Sequence, residues 1–483
     1  MNRRMIAFIF SRVLLVEAAL MLPSVLVGVL YKERAAACFL PAILLLSVLG
    51  LLLGVVRPRT TAIYARDGFF IVAACWVLLS VFGAIPFYLC GGFDSGWDCF
   101  FEMVSGFTTT GASILSDPES LPKCILFWRS FSHWIGGMGV LVFVLAIMPL
   151  GDDRSLHLMR AEVPGPVVGK LVPRMRNTAL ILYGVYLAMT VVLIVLLLAG
   201  GMPLFDSLCT AFGAAGTGGF SVRTAGIASY NSPYAEMVLA VFMLLFGVNF
   251  NLYFLILIGK WKEALRNEEM RWYFAIVAAA TLLIAANTLP VYQSVLPSLR
   301  YAFFQVSSII TTTGYASTDF ATLWPQFSQH MLLFLMVIGA CAGSTGGGLK
   351  VSRFLLLCKS FLLEIRSMIH PRSVNVVRLD KMPVDPATLS SVRVYFTIYT
   401  LILIFSVLLL SLDGFDFTTN MAAELACFNN IGPGIGLVGP MSNFSGFSPF
   451  SKVLLSVNML LGRLEIFPML VLFTPGVWRK NSL

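Results

Sequence analysis

The sequence predicts an all-α polytopic membrane protein: four pseudo-symmetric units of helix, pore helix and helix around one central pore, preceded by two extra helices. Three observations predict it. Hydrophobic residues fill 58% of the 483 positions and charged residues only 12%, whereas soluble domains carry about 25% charged residues. Ten apolar runs recur along the chain, most of them near the ~20 residues that cross ~30 Å of hydrocarbon as a helix. A short Thr/Gly phrase also returns four times between such runs: Thr-Thr-Thr-Gly-Ala at 108–112, Thr-Gly-Gly-Phe at 217–220, Thr-Thr-Thr-Gly-Tyr at 311–315 and Asn-Asn-Ile-Gly-Pro at 429–433.

The elements follow in order. Runs at 6–31 and 39–56 make an N-terminal two-helix domain over 1–66. The first is too long for the apolar part of a secretory signal and has no small-residue cleavage site, so it reads as a retained span. Unit 1 (67–160) places a short amphipathic helix at 97–107 between runs at 69–88 and 125–150. Unit 2 (161–270) repeats this with 180–198, 205–214 and 237–258, and unit 3 (271–385) with 272–289, 299–310 and 331–342. Unit 4 (386–483) closes the series with 394–412, 418–428 and 453–473. The glycines Gly111, Gly219, Gly314 and Gly432 recur at intervals on the order of 100 residues, too long for a soluble solenoid and suited to a two-span membrane unit. At about 1.5 Å per residue none of the short helices spans a bilayer. Irregular backbone after such a helix is tolerated at membrane depth only inside protein or beside water, which is the setting of a pore helix whose negative C-terminal end faces a cation.

The net charge of +9 is not spread evenly over the expected loops. One side gathers Arg57, Arg59, Arg66, Arg154, Arg160, Lys170, Arg174, Lys260, Lys262, Arg266, Arg271, Arg366, Arg372, Arg378 and Lys381, while the other carries Asp94, Asp98, Glu102, Asp117, Asp206, Asp319 and Glu424. The positive-inside rule then puts both termini in the cytoplasm, and makes nucleic-acid binding the wrong reading of the basic balance. An acidic outer vestibule would concentrate cations, though each acid taken singly reads as well as a solvated loop residue. The nine cysteines lie in or beside apolar helices without metal-like spacing, and the four histidines are scattered, so both read as structural. No catalytic constellation, P-loop or dinucleotide fingerprint is visible, and the chain does not read as an enzyme.

Glycine reaches backbone conformations closed to other residues, so a Gly-centred segment can turn main-chain oxygens toward an axis and replace the water shell of a cation. The predicted potassium filter is Thr109, Thr110 and Gly111; Thr217, Gly218 and Gly219; Thr312, Thr313 and Gly314; and Asn430, Ile431 and Gly432. Glycine and threonine are also ordinary close-packing residues of membrane helices, so one phrase would say little. Four in phase say more.

At these phrases the chain resembles the Trk/Ktr/HKT superfamily of potassium transporters, and its bacterial TrkH-type branch most closely. The likeness extends over nearly the whole length. It includes His-Trp-Ile-Gly-Gly-Met-Gly at 133–139, Ala-Glu-Val-Pro-Gly-Pro at 161–166 with the basic stretch 170–174, Gly-Ser-Thr-Gly-Gly-Gly-Leu-Lys at 343–350 and Gly-Arg-Leu-Glu at 462–465. The resemblance implies uptake of potassium across a bacterial inner membrane by a homodimer, no organic cofactor, and a cytoplasmic nucleotide-binding regulatory ring of the RCK type. Relatives with serine at the first filter glycine favour sodium, so Gly111 implies potassium. Gly218 and Ile431 depart from the threonine pattern, and fewer hydroxyls predict looser discrimination among monovalent cations.

Residues 340–348 interrupt an apolar run with four glycines, each costing roughly 1 kcal/mol against alanine in a helix. They read equally as non-helical backbone beside water or as a close helix crossing. The resemblance implies an intramembrane gating loop, with Gly343, Ser344, Thr345, Gly346, Gly347, Gly348 and Lys350 as its residues; Lys350 has the alternative of snorkelling to the interface. Arg463 lies inside the last run, where a charge needs a purpose or a partner. Glu465 is on a different helix face, and the resemblance implies that Arg463 is an electrostatic barrier under the filter. The basic stretches 260–271 and 366–381 are expected to dock the regulatory partner or lipid headgroups. The competing function is a coupled secondary carrier, taking up potassium with proton or sodium, since broken helices also build such sites.

Overall fold

The computed structural model describes residues 2–56, 65–139, 175–372 and 376–472. Among these, the chain is helical almost throughout, apart from a two-stranded antiparallel hairpin, Arg378–Leu379 with Met382–Pro383. Among the described residues six helices are long and apolar enough to cross a membrane: Arg3–Leu30, Arg34–Gly54, Asp67–Cys90, Ala179–Ala199, Glu268–Tyr292 and Pro386–Asp413. They coincide with the first two expected spans and with the opening span of each unit. Their outward faces carry exposed leucines, valines and phenylalanines, such as Leu44, Leu51, Val195, Leu282 and Phe405. That surface suits lipid and not water.

Three of the four closing spans depart from the continuous helices that hydropathy predicts, and that of unit 3 breaks where the glycines at 340–348 predicted. In unit 1 the helix Lys123–Gly137 stops, Gly139 turns to φ +76°, and the rest of the expected run lies outside the described residues. In unit 2 Pro233–Phe246 and Phe250–Leu257 meet at a 90° bend. In unit 3 Gln326–Ile338 gives way to irregular backbone before Val351–Ile369. In unit 4 Pro449–Arg463 is separated from Phe467–Leu472 by Glu465 and Ile466, both at positive φ. The physical reason is close approach. A Cβ on Gly136 would run into the carbonyl of Phe107, and one on Gly462 into that of Phe428, each carbonyl ending the short helix of the same unit. Gly247 lies close against the side chains of Tyr273 and Thr311, less tightly than the other two. The closing helices of units 1, 2 and 4 thus place a glycine at a close approach, and the helix breaks at or just after it.

The short helices are seen at Gly96–Phe107, Leu204–Gly216, Val295–Ile310 and Phe417–Phe428. Their final turns are fully buried, with Phe107, Ala215, Ile310 and Cys427 at 0% exposure. Ser95 and Asp416 cap the first and fourth by accepting backbone N–H groups of their opening turns, the usual remedy for orphan donors. All four run inward and end at the Thr/Gly phrases.

Candidate functional site

Each short helix ends in one and the same way, although the four sequences differ. Thr109, Thr217, Thr312 and Asn430 stand at φ +55°, +56°, +57° and +56°, in the left-handed region. The next N–H, that of Thr110, Gly218, Thr313 or Ile431, reaches back to the carbonyl five residues earlier, at 2.9, 2.8, 2.9 and 2.8 Å. This is the long bond of a Schellman cap. Left-handed threonine costs roughly 1–2 kcal/mol, so three such residues with an asparagine at the fourth equivalent position mark a geometry imposed by something other than helix termination.

With their N–H groups tied back, the same residues direct carbonyls sideways into a ring. A Cβ built on Gly432 would lie 2.8 Å from the Thr110 oxygen. A Cβ on Gly111 would lie nearer still to the oxygen of Gly218, one on Gly219 to that of Thr313, and one on Gly314 to that of Ile431. The contacts run from unit 1 to 2, 2 to 3, 3 to 4 and 4 back to 1. Four glycines at φ +79°, +75°, +82° and +97° therefore close a circle in which only a hydrogen fits between neighbours. All twelve residues named from the sequence are brought together there. Side chains tie the circle from behind: Thr108 to Thr110 and Thr311 to Thr313 by hydroxyl pairs at 2.8 Å, and Asn430 Nδ2 to Thr110 Oγ1 at 2.9 Å across units. Gly218 and Ile431 lack hydroxyls, yet their backbones follow the same path.

One side of the ring opens into a cavity of about 130 Å³ lined by Gly111, Gly219, Gly314 and Gly432 with Arg129, Arg223 and Tyr315. The expected acidic vestibule is not what lines it. The lining includes two arginines and no carboxylate; the acids stand one layer behind, neutralised by partners. Glu102 pairs with Arg129 at 2.6 Å, Asp206 with Arg223 at 3.1 Å and Asp98 with Lys452 at 2.6 Å. Buried Glu424 accepts from Asn458 at 2.8 Å. Asp98, Glu102, Asp206 and Glu424 belong to the short helices, not to loops as the sequence reading had them. Arg129 also donates to the Ser221 carbonyl at 2.9 Å and lies 3.6 Å from the Phe220 ring centre, holding the strand after the second phrase.

Across the ring lies the glycine-rich loop. Gly347 N–H donates to Thr312 Oγ1 at 2.6 Å, and Cβ atoms on Gly346 or Gly347 would press on the carbonyls of Thr311 and Asn429. The loop is irregular backbone, with Gly343, Gly348 and Lys350 at positive φ, so the helix-crossing alternative does not describe it. Lys350 does not snorkel: it is 2% exposed and its ammonium bonds the Gly346 carbonyl. Ser344 and Thr345 bond the carbonyls of Cys341 and Phe246 at 2.6 and 3.2 Å. Arg463 joins the loop to unit 1, donating to Thr345 O at 2.8 Å, Gly137 O at 2.7 Å and also Gly136 O. Glu465 pairs instead with Arg353.

Sequence reasoning missed His133, Arg129 and Tyr315. His133 Nδ1 meets the Gly106 carbonyl at 2.8 Å, and its ring fills the space a side chain on Gly218 would need. Tyr315 OH bonds the carbonyls of Thr210 and Phe220 at 3.0 and 3.3 Å, bracing the second phrase from the third unit. The signal available for His133 was its place at the head of the His-Trp-Ile-Gly-Gly-Met-Gly phrase, three residues before Gly136.

Residues 36–480 match the family described as TrkH, cation transport protein. The Trk system potassium uptake protein TrkH of Salmonella typhimurium is 38% identical over 97% of both chains, and that of Halomonas elongata is 34% identical over 99% of this chain and all of its own. A crystal structure of the potassium transporter TrkH from Vibrio parahaemolyticus superposes with a TM-score of 0.90 at 34% identity, covering 99% of this chain and 100% of the other. With matches of this length and identity, and with the ring and the spans arranged as described, the chain belongs to the TrkH family of cation transport proteins.

Proposed function

We propose that this chain takes up potassium across the bacterial inner membrane through the ring at Gly111, Gly219, Gly314 and Gly432. The observation that carries the reading is the cyclic contact between those glycines and the carbonyls of Thr110, Gly218, Thr313 and Ile431. Main-chain oxygens held on all sides of one axis are what a dehydrated alkali cation requires, and four helix C-termini aimed at the same point favour positive charge there. The relatives' names give the ion. No chemical step is needed, because an inward-negative potential supplies about 2.3 kcal/mol per charge for each 100 mV.

In this reading the units 67–160, 161–270, 271–385 and 386–483 surround one pore behind the 1–66 helices, with the ~130 Å³ cavity on the outside and the termini in the cytoplasm. The loop 343–348 is the gate, since it lies against Thr312 and Asn429 directly below the ring. Arg463 sets a positive barrier beside it. The reading includes homodimer assembly and a cytoplasmic nucleotide-binding regulatory ring, to which the basic stretches 260–271 and 366–381 offer a docking face. Purified chain in proteoliposomes, with a potassium gradient and rubidium as tracer, tests the function. Rapid rubidium entry that sodium displaces poorly is expected. Flux that requires an opposing proton or sodium gradient would instead establish a coupled carrier.

A further inference from the structure

The loop 343–348 has a neck, and one carboxylate closes it. Val351 N–H bonds the Ala340 carbonyl at 3.0 Å, bringing the two ends together. Glu269, only 6% exposed, places Oε1 between them and accepts from Ala342 N–H at 2.8 Å on the entering strand and from Ser352 N–H at 3.0 Å on the departing one. Ser352 is the second residue of the helix Val351–Ile369, so Glu269 supplies from another helix the acceptor that an N-cap side chain would give; Lys350, at the cap position, makes no such bond. A single oxygen shared by two backbone donors on either side of a loop is a clasp.

The residue before it points the other way. Glu268 Oε1 meets Lys359 Nζ at 2.5 Å, and its Oε2 and N–H bond the N–H and Oδ1 of Asp380, at 3.2 and 2.6 Å, in the turn of the Arg378–Pro383 hairpin. Asn267 Nδ2 adds a bond to Asp380 Oδ2 at 3.0 Å, and Lys359 Nζ another to the Arg378 carbonyl at 2.8 Å. The first turn of the helix Glu268–Tyr292 is therefore bonded through one residue to the hairpin and through the next to the loop neck.

We propose that Glu269 is a positioning residue that holds the loop across the pore, and that Glu268 lets displacement of the hairpin draw the clasp away from the neck. This rests on the reading of the loop as the gate. Charge-assisted bonds to two buried N–H groups are among the stronger single interactions in a protein, so their loss should shift the open population about tenfold or more.

The test uses the full chain in proteoliposomes. E269A should raise rubidium flux about tenfold, and E269Q less, because the amide keeps an acceptor without the charge. Amide exchange at 340–352 should quicken in both, with the potassium-to-sodium ratio unchanged, which a general loss of structure would not leave intact. E268Q and K359A should raise flux and exchange at the neck without touching Glu269. Flux unaltered in E269Q and E269A while exchange quickens would overturn the clasp. A variant lacking Ser344 and Thr345 separates the two claims: if it also leaves flux unaltered, the loop is no gate, whereas raised flux there alone removes Glu269 from the mechanism. Should E269A fail to fold, E269Q and K359A decide: variants that neither quicken exchange at 340–352 nor raise flux overturn the proposal.

Discussion

Thr109, Thr217 and Thr312 adopt a backbone conformation that costs each of them roughly 1–2 kcal/mol, Asn430 shares it, and the same φ at all four is the strongest local sign of a common purpose. The glycines beside them tolerate no replacement for a second reason, the neighbouring carbonyl. Gly314→Ala places a methyl group against the Ile431 oxygen at φ +82°, so rubidium flux should fall to background. Gly184→Ala, where a Cβ meets nothing within 4 Å, should leave flux unchanged. Arg463→Ala removes three carbonyl contacts and one positive charge, and flux in vesicles should rise; unchanged flux would count against its place in the pore. The twelve ring residues were legible in the sequence because the phrase repeats. His133 and Arg129 were not, since nothing in a linear reading links them to Gly106, Glu102 or Ser221, which lie 27 or more residues away.

At the level of elements, hydropathy revealed the six unbroken helices and missed the breaks in units 1, 2 and 4, whereas the glycine cluster at 340–348 had marked the break in unit 3. A glycine inside an apolar run leaves the mean hydropathy almost untouched, and only the partner that approaches it, as the Phe107 and Phe428 carbonyls do, shows why the helix stops. The short helices depend on buried ion pairs. Glu102, fully buried, meets Arg129 at 2.6 Å, and Glu102→Ala, which leaves the guanidinium uncompensated, should cost about 3–5 kcal/mol, read as a lowered unfolding temperature in detergent. The fourth short helix depends on an exposed cap. The Thr419 hydroxyl and N–H hold the Asp416 carboxyl below its ordinary range. A depressed carboxyl stabilises the fold fully above the ordinary aspartate value near ~3.9 and loses that contribution as pH falls through the folded value. Melting curves of D416A and the unaltered chain should therefore differ at neutral pH and converge in acid.

Across the whole molecule, four unlike sequences build one ring because the groups that face it are main-chain oxygens. Gly218 and Ile431 lack the hydroxyls of Thr110 and Thr313, which led the sequence reading to expect looser discrimination; the backbone follows the same course at all four places. The account accordingly predicts rubidium and potassium to permeate alike and sodium less well, measured as reversal potentials of the purified chain in a planar bilayer. The most direct measurement is anomalous scattering from crystals grown with thallium in place of potassium. A peak on the axis, within coordinating reach of the carbonyls of Thr110, Gly218, Thr313 and Ile431, is the expected result. Thallium absent from that ring while occupying another site along the chain would contradict the account.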